Sequence, residues 1–153
     1  MSGQMDNATT TANRSLEMAR TAGFKVAITQ SLWVQALIAI RTHQTEHAKH
    51  LLQEVVETNG EPTIVRKAYG HLGWLAAEKG AAEEAWALWE QGRAEMETPD
   101  LMLLCLEAQI ATLTGDTARA TVACETAEAR FRASGATAIS ADGVALARAK
   151  KLL

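Results

Sequence analysis

The feature that most constrains the fold of this chain is an internal repeat with an offset of 35 residues, from Gly80 to Gly115. At this offset the segment "AYGHLGWLAAEKGAAEEAWALWEQGRAEM" aligns with "LLCLEAQIATLTGDTARATVACETAEARF". Small and apolar residues coincide in the two copies: Gly73 with Ala108, Ala85 with Ala120, Trp89 with Cys124, and Met96 with Phe131. A period of this length is typical of architectures in which similar helical units stack on one another.

Each copy contains two stretches of helical periodicity separated by a glycine, and a short polar break ends the copy. This arrangement predicts two helices joined by a tight turn. Small residues at matching positions allow the two helices of a pair to approach closely. The same template fits residues 24–58 more loosely, so the sequence predicts helical hairpins at about 24–58, 62–97 and 99–134.

Glycine and proline support these boundaries. Gly60 followed by Pro62 indicates a helix end and a new first turn, and Gly135 ends the last hairpin. In the segment from Thr98 to Asp100, we expect Thr98 as the N-cap and Pro99 as the first helical residue. The predicted organisation is a disordered tail over 1–12 and a single domain over 13–153, with a short helix at 13–22 and a capping helix at 137–153.

Composition narrows the class of protein. The chain has 153 residues, 48% of them hydrophobic and only 5% aromatic, and alanine, leucine and glutamate favour helix. A net charge of −3 with interspersed signs presents no basic stripe, so we expect no nucleic-acid partner. The apolar stretch from Leu32 to Ile40 is about half of a membrane span. With no secretion signal at the N-terminus, we expect a cytoplasmic protein whose two cysteines are reduced core residues.

The second hairpin resembles the tetratricopeptide repeat (TPR) family in its pattern of small, aromatic and apolar positions. The resemblance is carried by Tyr69, Leu72, Gly73, Ala76, Gly80, Ala85, Trp89 and Pro99, and extends over about residues 26–134. Gly92 and the missing aromatic in the third hairpin depart from the family pattern. The resemblance implies an all-α fold, a right-handed superhelical stack of about three TPR-like hairpins with N-terminal and C-terminal flanking helices.

One stretch, "RTHQTEHAKH", holds three of the four histidines and reads His43-x-x-Glu46-His47. This spacing matches the pattern of inverted zinc peptidases, in which two imidazoles bind the metal and a glutamate activates water. The repeat, however, places a turn near 42–45, and His43 and His47 then lie on opposite sides of it. We therefore expect no metal, no cofactor and no catalytic residue, with adventitious metal capture at His47 and His50 left open.

In TPR proteins the first helix of each hairpin lines a concave face, and the resemblance carries that role onto twelve residues here. The predicted partner-binding groove consists of Gln30, Trp33, Leu37, Arg41, Lys67, Gly70, Trp74, Glu78, Met102, Cys105, Gln109 and Thr112. Trp33, Trp74, Leu37 and Met102 would make it apolar and suited to a peptide or an amphipathic helix. The alternative is that both tryptophans are covered by a terminal helix and belong to the core.

The function that follows is non-catalytic protein binding, as an adaptor or scaffold that binds a peptide or helix, with a homodimer also possible. Two alternatives rest on resemblance. "TPDLMLLCLEAQIATLTGD" is similar to type III secretion chaperones that hold an export substrate, and "ARFRASGAT" resembles the helical-repeat sensor regions of transcriptional regulators. A zinc metallopeptidase at the histidine stretch is the remote alternative.

Overall fold

A computed structural model describes residues 2–94, 96–135, 146–147 and 149–151, with side chains from Asn7 onward. Over these residues the chain is all-helical and contains no strand. The helices are α1 (Ser2–Ala22), α2 (Lys25–Arg41), α3 (Thr45–Thr58), α4 (Pro62–Glu78), α5 (Ala82–Arg93), α6 (Leu101–Leu113) and α7 (Thr117–Ser134). Residues 146–147 and 149–151 are helical too, and the rest of the predicted capping helix lies outside the described residues.

The chain divides into two compact units, residues 1–69 and 70–153, and the boundary falls inside α4. In the first unit α2 packs against both α1 and α3. The buried side chains of this unit include Ala12, Leu16 and Ala19 on α1, Leu32 and Ala36 on α2, and Leu52 and Val55 on α3. Arg20 of α1 forms an ion pair with Glu54 of α3.

Helix α1 begins at Ser2, whereas the sequence predicted a disordered tail over 1–12 and a helix only from Asn13. The difference has a tertiary cause. Ala12 is buried at 6% exposure, and Leu16 and Ala19 continue the same helical face against α2. A polar segment with few large apolar residues has little reason to be helical alone, but it can extend a helix that is already docked.

Four helix ends share one turn geometry. After α1, α2, α4 and α6 comes a residue with positive φ: Gly23 (70°), His43 (58°), Gly80 (79°) and Gly115 (83°). In each turn the next residue donates its backbone N–H to the carbonyl five positions earlier, as Gln44 does to Ala39 (2.9 Å) and Asp116 to Ala111 (2.8 Å). This is the Schellman arrangement that closes a helix with a left-handed residue. Both glycine turns inside the repeat lie where the sequence predicted them.

Aspartate side chains cap two of the helices, and one of these caps differs from the expectation. Asp116 accepts the backbone N–H of Arg119 (3.0 Å) and caps α7. At α6, however, the cap is Asp100, which accepts the N–H of Leu103 (2.8 Å), so Pro99 precedes the helix instead of beginning it. A carboxylate at the N-cap satisfies an N–H that would otherwise lack a partner and also interacts favourably with the helix dipole.

The second unit is organised around α6. From Leu103 to Ala111 every residue of this helix except Glu107 is buried, so α6 is apolar around nearly its whole circumference. It packs against α5 and α7, and the Ile110 side chain approaches Gly73 of α4. None of the helices in the described part of the chain has the length and apolar character needed to cross a membrane.

Candidate functional site

The histidine-rich stretch is a helix junction. α2 ends at Arg41 and α3 begins at Thr45, so the turn predicted near 42–45 is confirmed. His43 is the left-handed residue of that turn, and His47 lies in the first turn of the next helix. The peptidase pattern needs both imidazoles on one helical face, and this geometry does not provide it. Among the described residues, no three His, Cys, Asp or Glu side chains are grouped to hold a metal ion.

Replacing His43 with glycine is expected to stabilise the protein by about 0.5–1 kcal/mol, because a side chain at positive φ carries a steric cost that glycine avoids. The reciprocal variant, Gly80→Ala, should destabilise by about 1 kcal/mol. A Cβ at Gly80 would meet no atom within 4 Å, so the effect there is conformational. Urea denaturation of both variants measures the two changes. If both variants changed the free energy of unfolding in the same direction, the result would contradict the shared turn geometry.

His47 lines a pocket formed by residues of α1, α2 and the turn that leads into α3. The pocket has a volume of about 390 Å³ and is lined by Thr9, Thr10, Asn13, Gln35, Ile38, Ala39, Thr42, Gln44 and His47. Gln35 donates a hydrogen bond to Asn13 (2.9 Å) and thereby ties α2 to α1. Among the described residues that line this pocket, His47 lies with amides, hydroxyls and two apolar side chains, and none of these lining residues is a carboxylate.

The residues predicted to line a groove differ in solvent exposure between the two units. In the first unit Gln30 and Arg41 are exposed, whereas Trp33, Leu37 and Lys67 are half-buried. These five remain available, at least in part, to a partner. On α2, the spacing of Gln30, Trp33, Leu37 and Arg41 places them on one face of the helix.

In the second unit four of the residues predicted to line the groove are buried. Trp74 is 4% exposed, Gln109 3% and Cys105 0%, and Gly70 is also buried. Tight local packing is the reason: a Cβ on Gly70 would lie 2.7 Å from the Leu103 side chain, and Gln109 donates its amide to the carbonyl of Cys105 (3.2 Å). Trp74 thus belongs to the buried core of the second unit. Met102 and Thr112 are half-buried and Glu78 is exposed.

The first unit contains a groove between α1 and α2 that the sequence reasoning missed on its α1 side. It has a volume of about 580 Å³ and is lined by Asn7, Ala8, Thr11, Ala12 and Ser15 of α1 and by Gln30, Ser31 and Val34 of α2. None of these side chains is charged. The sequence pattern that could have revealed this side of the groove is the spacing of Ala8, Thr11 and Ser15, which places them on one helical face. Ala8 and Thr11 lie within the segment that was expected to be disordered.

Exposed apolar side chains extend this surface, which we call the α1–α2 groove. Val34 lines the groove and is 46% exposed, and Val26, eight residues earlier on α2, is 49% exposed. Met18, three residues after Ser15 on α1, is exposed as well. A single exposed apolar side chain is ordinary in a folded domain, whereas exposed apolar side chains beside a groove indicate a candidate contact surface.

Two arginines share a helical face with residues of the same groove. Arg14 follows Thr11 by three positions on α1, and Arg41 follows Val34 by seven positions on α2. Both arginines are exposed. The described residues that line the groove are uncharged, and the helical spacing of the two arginines predicts positive charge near its margins.

Comparison of the chain with protein-family models, with curated proteins and with solved structures finds no match.

Proposed function

We propose that this chain is a non-catalytic protein-interaction domain, an adaptor or scaffold of the cytoplasm, built from TPR-like helical hairpins in a right-handed stack. The recurrence of one turn geometry supports the repeat. So does the position of Ala48, Ala85 and Ala120, each completely buried at the fourth residue of the second helix of its hairpin. A small residue at that place lets paired helices approach closely.

The observation that carries the binding function is the α1–α2 groove. Its described lining residues are uncharged, and Val34 and Val26 expose apolar surface. From their helical spacing we expect the exposed Arg14 and Arg41 to lie near its margins. An amphipathic helix whose apolar face enters the groove and whose flanks carry acidic residues would bury the valines and pair with the arginines. We propose this helix as the ligand, with Gln30, Trp33 and Leu37 among the residues it contacts.

The test is selection of helical peptides from a displayed library against the wild-type chain. We expect enriched sequences with an apolar face and acidic flanks, and we expect Val34→Glu to weaken their binding by about tenfold or more, since the substitution places a charge in an apolar contact. Val122→Glu is the matched control, because Val122 is also an exposed helical valine, at 63%, but lies on α7 in the other unit.

Binding measurements on the two variants distinguish binding at the α1–α2 groove from binding elsewhere. Loss of binding in Val34→Glu together with normal binding in Val122→Glu would support the groove as the site. An absence of enriched helical peptides, or enriched peptides that bind Val34→Glu as well as wild type, would refute it. Circular dichroism of both variants checks that the helical content is unchanged.

A further inference from the structure

Helix α1 borders a cavity on each side of the buried stripe that contains Leu16. The α1–α2 groove lies on one side of this stripe. On the other side, Asn13, Glu17 and Arg20 follow one another at intervals of four and three residues, which places them on one helical face. The first unit therefore has a second surface of α1 on which a ligand could bind.

Two cavities border this second face of α1. One is the cavity of about 390 Å³ that His47 lines. The other has a volume of about 350 Å³ and is lined by Asn13, Leu16, Glu17, Arg20, Thr21 and Gln35. Because the amide side chains of Asn13 and Gln35 line both cavities, we call the two together the amide cleft.

The length of the amide cleft follows from the helix that forms one of its walls. Thr10 lines one cavity and Thr21 lines the other, and the rise between these two positions of an α-helix is about 16 Å. An extended chain advances about 3.3 Å per residue, so the cleft matches an extended peptide of about five residues. A peptide of that length is too short to form a stable helix.

The paired amides of Asn13 and Gln35 present hydrogen-bonding groups to the cleft. Gln35 donates a hydrogen bond from its Nε2 to Oδ1 of Asn13 (2.9 Å). This bond uses one donor of Gln35 and one acceptor position of Asn13, so the Asn13 amide keeps its N–H donors and the Gln35 amide keeps its carbonyl oxygen. A donor beside an acceptor is the complement of the carbonyl oxygen and N–H of a peptide main chain. The amide pair is therefore suited to a peptide backbone, whatever side chains that backbone carries.

Charge is confined to one end of the amide cleft. The described residues around the cavity that His47 lines carry no carboxylate, ammonium or guanidinium group. At the other end, Arg20 forms an ion pair with Glu54 of α3, and Glu17 adds a second carboxylate. Two carboxylates beside one guanidinium give this end a net negative charge, which favours a basic side chain on a ligand.

We propose that the amide cleft binds an extended peptide segment of a partner protein, about five residues long, through its main chain. Its side chains are uncharged toward His47, and a basic side chain lies at the Glu17 end. Single-stranded nucleic acid would need a basic groove with aromatic rings for stacking, whereas the guanidinium among the described lining residues is already paired. The inference does not depend on the function proposed for the α1–α2 groove.

An array of five-residue peptides with acetylated and amidated ends tests the proposal. We expect the bound sequences to be uncharged except for one lysine or arginine near an end. The peptide that binds best is then methylated at each of its peptide nitrogens in turn, which removes one main-chain N–H donor and keeps every side chain. At least one of these derivatives should bind about tenfold more weakly, because it cannot donate to Gln35.

Variants of the chain locate the bound peptide. Gln35→Ala removes the acceptor of the amide pair and should weaken binding about tenfold. Gln30→Ala is the matched control, because Gln30 is also a glutamine of α2 but lines the α1–α2 groove, and it should bind the peptide as wild type does. Glu17→Gln should retain binding and lose the preference for a basic over a neutral side chain at the peptide end.

Three results would overturn the proposal: an array without any bound peptide, equal binding of all the methylated derivatives, or loss of binding in Gln30→Ala with normal binding in Gln35→Ala. An unchanged preference for a basic side chain in Glu17→Gln would overturn the placement of that side chain. Circular dichroism checks that each variant keeps its helical content. If Gln35→Ala does not, since it also removes a tie between α1 and α2, the methylated peptides and Glu17→Gln still decide the question.

Discussion

Replacing Trp89 with alanine is expected to lower the free energy of unfolding of the second unit by about 3–5 kcal/mol, the largest effect of any single substitution considered for this protein. Trp89 is fully buried on α5, and its indole N–H donates to the carbonyl of Leu103 (3.4 Å). Alanine would leave a cavity and a carbonyl without that donor. Urea denaturation followed by circular dichroism measures the loss, and hydrogen exchange locates it in α5 and α6.

Trp86 provides the matched control on the same helix. It is half-buried, its ring meets that of Trp89 edge to face at 5.8 Å, and the Arg119 guanidinium lies 3.9 Å from its ring centre. Arg119 is held there by Glu107, whose Oε1 is 2.7 Å from the arginine Nε. Trp86→Ala removes mainly this partly exposed cation–π contact and should cost clearly less than Trp89→Ala. Equal losses for the two variants would contradict the assignment of Trp89 as the core residue.

Gly73→Ala is expected to destabilise the second unit by about 1–3 kcal/mol, although alanine normally stabilises a helix relative to glycine by about 1 kcal/mol. A Cβ at Gly73 would lie 2.7 Å from the backbone carbonyl oxygen of Ala85 and 3.3 Å from Cδ1 of Ile110. Backbone cannot rotate away as a side chain can, so α4 and α5 must separate. The sign of the change in unfolding free energy, measured by urea denaturation, is the decisive result.

Gly70→Ala, on the same helix, separates the effect of steric packing on stability from the effect of helix propensity. A Cβ there would also be close to its neighbours, at 2.7 Å and 2.9 Å, but these are the terminal methyl groups of Leu103 and Leu106, which can change rotamer. Gly70→Ala should therefore cost less than Gly73→Ala or be close to neutral. Stabilisation by Gly73→Ala would show that α4 and α5 do not approach as closely as described.

The turns that end the helices show which features the local sequence can predict. Gly80 and Gly115 were predicted as helix ends because glycine adopts positive φ without steric cost, and both have that conformation. His43 occupies the equivalent position with φ 58° and carries no such signal in its residue type. Its turn was predicted only because the repeat required one there. Repetition thus supplied information that the residue itself did not contain.

The N-terminal helix shows a structural feature that the local sequence could not predict. Helix α1 continues back to Ser2 through a polar, threonine-rich segment, and this extension created the α1 side of the groove. Nothing in "QMDNATTTANR" indicates helix strongly. The docked face from Ala12 to Ala19 supplies the reason, since helix propagation from a packed segment needs far less intrinsic propensity than nucleation.

Periodicity, glycine positions and the internal repeat by themselves determined the all-helical class and the three hairpin turns within the repeat, because these depend on hydrogen bonds and spacings within a few residues. Only the tertiary structure decided which helical faces are open. Trp33 and Trp74 occupy matching positions in the predicted groove, yet Trp33 is half-buried and Trp74 is core. Exposure is set by segments distant in the chain that pack over a face, and a local pattern of apolar residues is the same whether the face is covered or free.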